Sequence, residues 1–197
     1  ASNPLPRGRV LANWLPIALI AVIAASSLLA LTFFYLRLNY RQPYLLAWGL
    51  AFASHVLRNV CILAGVSLGW TSKALLLGEQ YFVLATAVLL FAGALSFSRR
   101  AFPGWVAAAV AGVAIWIPLA VILGFSRQTL YTPVYLLLGT VKILCGVTLW
   151  RVQAHWRDLG RGVAGGALVL WGLHQFDYPL LRHVAWFAPW GFLIGTV

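Results

Sequence analysis

The segment "WLPIALIAVIAASSLLALTFFYL", residues 14–36, contains no charged side chain and decides the fold class. It is longer than the roughly 20 apolar residues that cross the hydrocarbon core of a bilayer as an α-helix. It is also too long for the apolar region of a signal peptide, and no small-residue cleavage site precedes a mature domain. We therefore interpret this segment as a membrane-spanning helix.

The rest of the chain has the same character. Apolar residues make up 62 % of the sequence and charged residues 9 %, whereas soluble domains carry about 25 % charge. The short connections between apolar runs contain turn and breaker residues and leave no room for a second folded domain. We predict one all-α, polytopic membrane domain over residues 1–197 with seven transmembrane helices at about 13–36, 43–68, 74–97, 103–124, 130–150, 161–181 and 186–197.

Positive charges between these segments set the expected orientation. With the N-terminus outside, the inner loops contain seven arginines, and the outer loops contain Lys73, Arg127 and Arg182. Because cytoplasmic loops carry an excess of Lys and Arg, we predict an N-outside, C-inside topology. The last segment is too short to cross a bilayer, and we expect that helix to continue beyond Val197 towards the cytoplasm.

The second and sixth segments share a sequence pattern. Both "WGLAFASHVLRNV" (48–60) and "WGLHQFDYPLLRHV" (171–184) read Trp-Gly-Leu, then a His, then Leu-Arg-x-Val, with one extra residue in the second copy. This pattern fits a parallel 3+1+3 pseudo-repeat with the fourth helix as connector, and parallel repeats tend to place sites between the halves. Chance similarity among the abundant Leu, Val, Gly and Trp is the alternative.

The net charge of +11 does not by itself indicate nucleic-acid binding. Most basic residues fall at the ends of predicted helices, where the positive-inside bias and snorkelling towards the interface explain them. Cys61 and Cys145 both lie within apolar runs, so we expect packing thiols and no disulfide.

Ionisable side chains at membrane depth are the strongest functional signal in the sequence, because such groups are costly there and by default indicate a functional site. Counting along each predicted helix places such groups from three helices in the outer half and Lys142 near the middle of the fifth. The candidate ligand-binding residues are His55, Arg58, Glu79, Tyr81, Lys142, Trp171, His174, Asp177, Tyr178 and Arg182.

Cations outnumber acids in this set, since Arg58, Lys142 and Arg182 face only Glu79 and Asp177. A surplus of positive charge in an apolar pocket favours an anionic ligand, such as a carboxylate or a lipid-like acid.

A structural role is the alternative for each group. Arg58 and Glu79 would form an ion pair that only orients two helices, and the intramembrane histidines would be hydrogen-bonded packing residues. Residues 177–179 would form a helix-ending turn, and Lys142 would snorkel or bond to a backbone carbonyl.

No motif predicts catalysis or a resident cofactor. HExxH and CxxC are absent, and no Ser–His or Cys–His spacing implies a nucleophile. His55 and His174 have the ligand chemistry for a metal or haem site, so a redox membrane module is one alternative function. A small-solute transporter, suggested by the repeat and by the charges at membrane depth, is another.

Two stretches resemble a known family. "GLHQFDYPLLRHVAWFAPWGFLIGTV" (172–197) and "YLRLNYRQPYLLAWGLAF" (35–52) are similar to the N-terminal multi-helix sensor modules of bacterial signalling proteins. The resemblance implies a seven-helix sensor in the bacterial inner membrane, followed by a cytoplasmic diguanylate cyclase (GGDEF) or histidine kinase domain. It also implies homodimerisation, and its matched motif contains His174, Asp177, Tyr178 and Arg182.

We therefore expect a transmembrane receptor that binds a small, amphipathic anion in an outer-half pocket. Its expected partners are that ligand, the surrounding lipids and a second copy of the chain.

Overall fold

A computed structural model of the protein describes residues 7–68, 72–151 and 159–181, with side chains at 15–68, 72–151 and 160–177. Within these ranges the chain forms α-helices and no β-strand, which confirms the all-α prediction. The helices are α1 (Arg7–Tyr40), α2 (Pro43–Ser67), α3 (Lys73–Phe97), α4 (Gly104–Ile122), α5 (Arg127–Arg151) and α6 (Leu159–Leu181).

Five of these helices, α1 to α5, are long and apolar enough to cross a membrane. The protein is therefore a membrane protein with several spanning helices. The helix α6 is not one of the five spans, and its C-terminal half carries the polar residues His174, Gln175 and Asp177. The seventh segment, 186–197, lies outside the described residues, so seven spans and the N-outside orientation stay predictions.

The helix boundaries follow the predicted ones, apart from α1, which is longer at both ends. Its C-terminal turn continues to Tyr40 because the Asn39 amide donates to the Tyr35 carbonyl and the backbone N–H of Arg41 donates to the Arg37 carbonyl. The helix α6 runs through Pro179 to Leu181. The alternative of a helix-ending turn at residues 177–179 is therefore wrong.

The helices α1, α2 and α3 pack as consecutive neighbours, α5 packs against α6, and α4 contacts both α3 and α5. Contacts between α3 and α5 show that these two helices run parallel, since Glu79 meets Tyr131 near their N-terminal ends and Leu90 meets Cys145 further along. The Leu90 carbonyl accepts hydrogen bonds from Trp48 Nε1 at 3.2 Å and from Cys145 Sγ at 3.6 Å. One carbonyl of α3 therefore ties α2 to α5.

Glycines bring α5 and α6 into close antiparallel contact. A Cβ atom at Gly172 would lie 2.8 Å from the Gly139 carbonyl oxygen, and one at Gly165 would lie 3.0 Å from the Gly146 carbonyl oxygen. The glycines are spaced by seven residues on each helix, which keeps them on one face. Small residues of this kind let helix backbones approach closely in membranes. Close packing matters there because the hydrophobic effect does not drive helices together in lipid.

Two helices end on an arginine in a left-handed backbone conformation. Arg99, with φ 52°, closes α3 through bonds from its own N–H to the Ser96 carbonyl and from the Arg100 N–H to the Leu95 carbonyl. Arg41, also at φ 52°, follows α1 directly. The same turn after α4 uses Gly124, at φ 70°, which is the residue that avoids the roughly 1 kcal/mol cost of this conformation.

The two tryptophans of the repeated pattern, Trp48 and Trp171, pack against the main apolar core. The glycine that follows each one faces the preceding helix: Gly49 lies against Phe34 of α1, and Gly172 against Gly139 of α5. The pseudo-repeat remains a prediction, because its second copy extends beyond Leu181. Cys61 and Cys145 are free thiols, as expected.

Candidate functional site

Polar side chains from four helices are buried together with the apolar core, each less than a tenth exposed. The helix α5 contacts α3, α4 and α6. The set comprises His55, Arg58 and Asn59 of α2, Glu79 and Gln80 of α3, Tyr131, Tyr135 and Lys142 of α5, and Gln175 of α6.

Lys142 lies at the centre of this set. Its Nζ atom is 3.4 Å from the centroid of the Trp171 ring, and the side chain is 2 % exposed. The Trp171 ring also contacts His55, whose ring meets it edge-on at 5.6 Å. Trp171 therefore joins a cation from α5 to an imidazole from α2, and the attraction between a desolvated ammonium and an aromatic face is substantial.

A second pair of contacts joins α2 and α3 to the start of α5. Arg58 Nη2 donates to the Tyr135 hydroxyl at 2.9 Å, and the Tyr131 hydroxyl donates to Glu79 Oε2 at 3.2 Å. The two tyrosine rings touch edge to face at 5.9 Å. One face of α5 thus holds both the buried guanidinium and the buried carboxylate.

Only side chains bridge α2 to α5 and α6. Among the described residues, no Cα atom of α2 lies within 8 Å of a Cα atom of α5 or α6. Arg58 and His55 span this separation and reach Tyr135 and Trp171, respectively. Polar and aromatic side chains, and not close backbone contacts, therefore join α2 to α5 and α6 at this site.

Several buried polar atoms of the site have no hydrogen-bond partner in the described structure. They include both side-chain amide atoms of Gln80, the Oδ1 atom of Asn59 and the Nδ1 atom of His55. Asn59 and Gln80 are fully buried, and the packing of Cys61 against Gly78 places them at the same level of the antiparallel α2–α3 pair. Buried polar groups are normally satisfied, so an unpaired set of this kind is typical of a place where water or a ligand binds.

The structure brings His55, Arg58, Glu79, Lys142 and Trp171 into this site. Two of these buried side chains, Arg58 and Lys142, are basic, and one, Glu79, is acidic. A surplus of buried positive charge with unsatisfied donors and acceptors is chemically suited to an anion.

Tyr81 lies apart from the site. It is 41 % exposed and its hydroxyl donates to the Ala114 carbonyl of α4. The helix periodicity explains this position, since Tyr81 is on the opposite side of α3 from Glu79.

His174 and Asp177 pair with each other along α6, at 3.9 Å between Nδ1 and Oδ2. The Asp177 side chain is 57 % exposed, so this carboxylate lies at the surface and not in the buried set. The helical backbone reaches Tyr178, but its side chain and all of Arg182 lie outside the described residues.

Sequence reasoning missed the two tyrosines of α5 and the amides Asn59, Gln80 and Gln175. A signal for the tyrosines was present, because Tyr131, Tyr135 and Lys142 are spaced i, i+4 and i+11 and so share one helical face. The amides gave no comparable signal, since an uncharged polar residue within an apolar run is common.

Metal binding receives no support from the described residues, where no three His, Cys, Asp or Glu side chains come together. Comparison of the chain with protein-family models, with characterised proteins and with solved structures found no match.

Proposed function

We propose that the protein is a transmembrane sensor module that binds a small, amphipathic anion between α2, α5 and α6. The observation that carries this proposal is the contact of Lys142 with Trp171 and of Trp171 with His55, which concentrates positive charge and an aromatic face at one buried place. A carboxylate bound at this place would accept charge-assisted hydrogen bonds from the protein. Inside a bilayer, water does not offer such bonds.

The apolar part of such a ligand has matching surroundings. Ala51, Leu138 and Val141 belong to the same buried apolar core, and Trp171 packs against that core. A pocket with apolar walls and a few convergent polar groups is the usual form of a small-molecule site. The ligand class is therefore an acid with a short hydrocarbon tail.

Signalling would follow from the way the site joins its helices. Because only side chains bridge α2 to α5 and α6, a ligand that inserts there changes the spacing of α6 relative to α2. A ligand shifts a conformational equilibrium only through different affinities for its two states, and the helix spacing supplies such a difference. The resemblance to bacterial sensor modules makes a diguanylate cyclase or histidine kinase the proposed output, in a homodimer at the inner membrane.

Binding is testable with sodium decanoate as the probe and native mass spectrometry of the detergent-purified chain as the readout. We expect one decanoate per chain, with at least tenfold weaker binding to Lys142→Gln and near-normal binding to Lys142→Arg. The matched control is Lys73→Gln, which removes an exposed lysine at the start of α3. Equal binding by Lys142→Gln and the parent would contradict the site.

A second experiment separates a sensor from a transporter. In sealed vesicles that contain the protein, we expect decanoate to bind without a protein-dependent increase in the rate at which it enters the lumen. 1-Decanol, which has the same tail and no charge, should not compete. Protein-dependent entry that Lys142→Gln abolishes would favour transport instead.

A further inference from the structure

One end of the helix bundle is strongly basic. Arg37 lies near the end of α1, Arg41 between α1 and α2, and Arg99 and Arg100 directly after α3. The antiparallel connections place all four at the same end. The two acidic residues of the described chain, Glu79 and Asp177, lie towards the other end, near the start of α3 and the end of α6.

Contacts between aromatic rings join α1, α2 and α3 at this end of the bundle. Phe33 meets Trp48 at 5.5 Å, Tyr44 meets Trp48 at 5.2 Å, and Tyr44 meets Phe97 at 5.1 Å. These rings come from α1, α2 and α3, and they form one continuous cluster.

Each arginine lies within about one helical turn of a ring in that cluster. Arg37 follows Phe33 by four residues on the same face of α1, Arg41 precedes Tyr44 by three, and Arg99 follows Phe97 by two. The arginines therefore lie at the same end of the bundle as the aromatic cluster. We name this set, Arg37, Arg41, Arg99 and Arg100, the arginine rim.

Two arginines of the rim have a backbone conformation that glycine adopts more readily. Arg41 and Arg99 both have φ 52°, a conformation in which glycine is favoured, and the chain does use glycine at the equivalent position after α4. The two arginines thus occupy a backbone conformation that local preference does not favour.

Two buried polar atoms at this end of the bundle also lack partners. Arg37 Nη1 and Ser98 Oγ are buried and form no hydrogen bond in the described structure. Arg41, Arg99 and Arg100 are exposed. A phosphate group is the anion whose geometry suits several converging guanidinium groups.

We propose that the arginine rim binds the phosphate of an anionic phospholipid, whose acyl chains lie against the aromatic cluster and α1. Basic pockets between transmembrane helices are known to bind lipid headgroups in this way. Exposed apolar side chains next to the rim, Tyr35, Leu38 and Tyr40 of α1, provide the adjoining surface for the chains. The lipid belongs to the bilayer that surrounds the protein, so no entry path from water is needed.

The test measures binding of palmitoyl-oleoyl phosphatidylglycerol by native mass spectrometry, with the phosphatidylcholine of the same chains as the zwitterionic comparison. We expect tighter binding of the glycerol lipid, and a loss of about fivefold for each arginine replaced. The triple variant Arg37→Gln, Arg41→Gln and Arg99→Gln should therefore lose binding by about a hundredfold. The control is Lys73→Gln with Arg127→Gln, which removes charge at the other end and should change binding less than twofold.

A second variant keeps the test decisive if the triple variant folds poorly. Arg41→Gly with Arg99→Gly removes the charge and at the same time relieves the left-handed backbone. We expect a higher melting temperature in phosphatidylcholine nanodiscs together with weaker phosphatidylglycerol binding.

Three outcomes would overturn the proposal: unchanged lipid binding by the glycine variant, equal losses in the control variant, or displacement of the lipid by millimolar inorganic phosphate. The last would indicate a free-phosphate site. The proposal is independent of the decanoate site, because the rim variants should leave decanoate binding unchanged.

Discussion

Lys142 Nζ lies 3.4 Å from the centroid of the Trp171 ring, in a place where the lysine side chain is 2 % exposed. Burial of a charge normally requires a partner that compensates for lost hydration. No carboxylate of the described residues forms an ion pair with this ammonium group, so the aromatic face is its main local compensation. The pair joins α5 to α6 at the level of the proposed site.

A double-mutant cycle on this pair should reveal the interaction. Lys142→Met and Trp171→Leu each remove one partner, and we expect a coupling free energy of about 2 kcal/mol, since a desolvated cation–π contact is worth about that much. The measurement is the free energy of unfolding in mixed detergent micelles. As a control, Lys142→Met should combine additively with Trp105→Leu, because Trp105 is exposed on α4; additive effects for the Trp171 pair would contradict the assignment.

The hydroxyl of Tyr135 should contribute to stability through Arg58. Tyr135→Phe removes the acceptor for Arg58 Nη2 and should lower the free energy of unfolding by roughly 2 kcal/mol, since hydrogen bonds to charged groups are stronger than neutral ones. Tyr81→Phe is the control, because that hydroxyl is on a half-exposed residue and bonds a neutral carbonyl. If both variants lose the same amount in a thermal melt, Arg58 does not depend on Tyr135.

Close packing of α5 on α6 should be sensitive to one methyl group. In Gly172→Ala the added Cβ would lie 2.8 Å from the Gly139 carbonyl oxygen and 3.0 Å from the Ile143 backbone nitrogen. We expect a loss of roughly 1–3 kcal/mol, because backbone atoms yield only by moving a whole helix. Gly112→Ala is the matched control, since nothing lies within 4 Å of its Cβ; it should raise stability by up to about 1 kcal/mol. A stable Gly172→Ala would show that the helices are further apart.

Removal of an unsatisfied amide should stabilise the protein at the expense of binding. Gln80 is fully buried and neither of its side-chain amide atoms has a partner. Gln80→Leu should raise the free energy of unfolding without ligand by about 1–3 kcal/mol, because that desolvation cost disappears. Decanoate binding, measured on the same samples, should weaken. Gln128→Leu, at an exposed position in α5, should change neither; a destabilised Gln80→Leu would indicate that the amide is satisfied.

Much of the fold followed from patterns along the chain. Apolar runs of bilayer length predicted the helices, and turn residues placed most ends within a few residues of the observed ones. The C-terminal extension of α1 was not predicted, because it depends on a local hydrogen bond from the Asn39 amide to the Tyr35 carbonyl. The pattern of apolar residues does not reveal such a bond. The spanning role of the segment at 161–181 was not confirmed, since α6 is a helix but not one of the apolar spans.

The candidate site was predictable only in part. An ionisable residue within an apolar run can be recognised from the sequence of one helix alone. For this reason the sequence analysis identified His55, Arg58, Glu79 and Lys142. The partners Tyr131 and Tyr135 were not recognised, because the face of α5 that points towards α2 and α3 is set by packing and not by composition. Tyr81 failed for the same reason, since depth alone does not tell which side of a helix a residue occupies.

By itself the sequence determined that this chain crosses a membrane as helices and that it buries ionisable groups, because hydrocarbon tolerates only satisfied backbones and selects strongly against charge. The tertiary structure decided which of those groups meet. Lys142 contacts Trp171 because Gly139 and Gly172 let α5 and α6 approach closely, and Arg58 reaches Tyr135 across a separation that no backbone closes. Such contacts depend on the distance between whole helices and on their rotation. Residues that are far apart in the chain determine both.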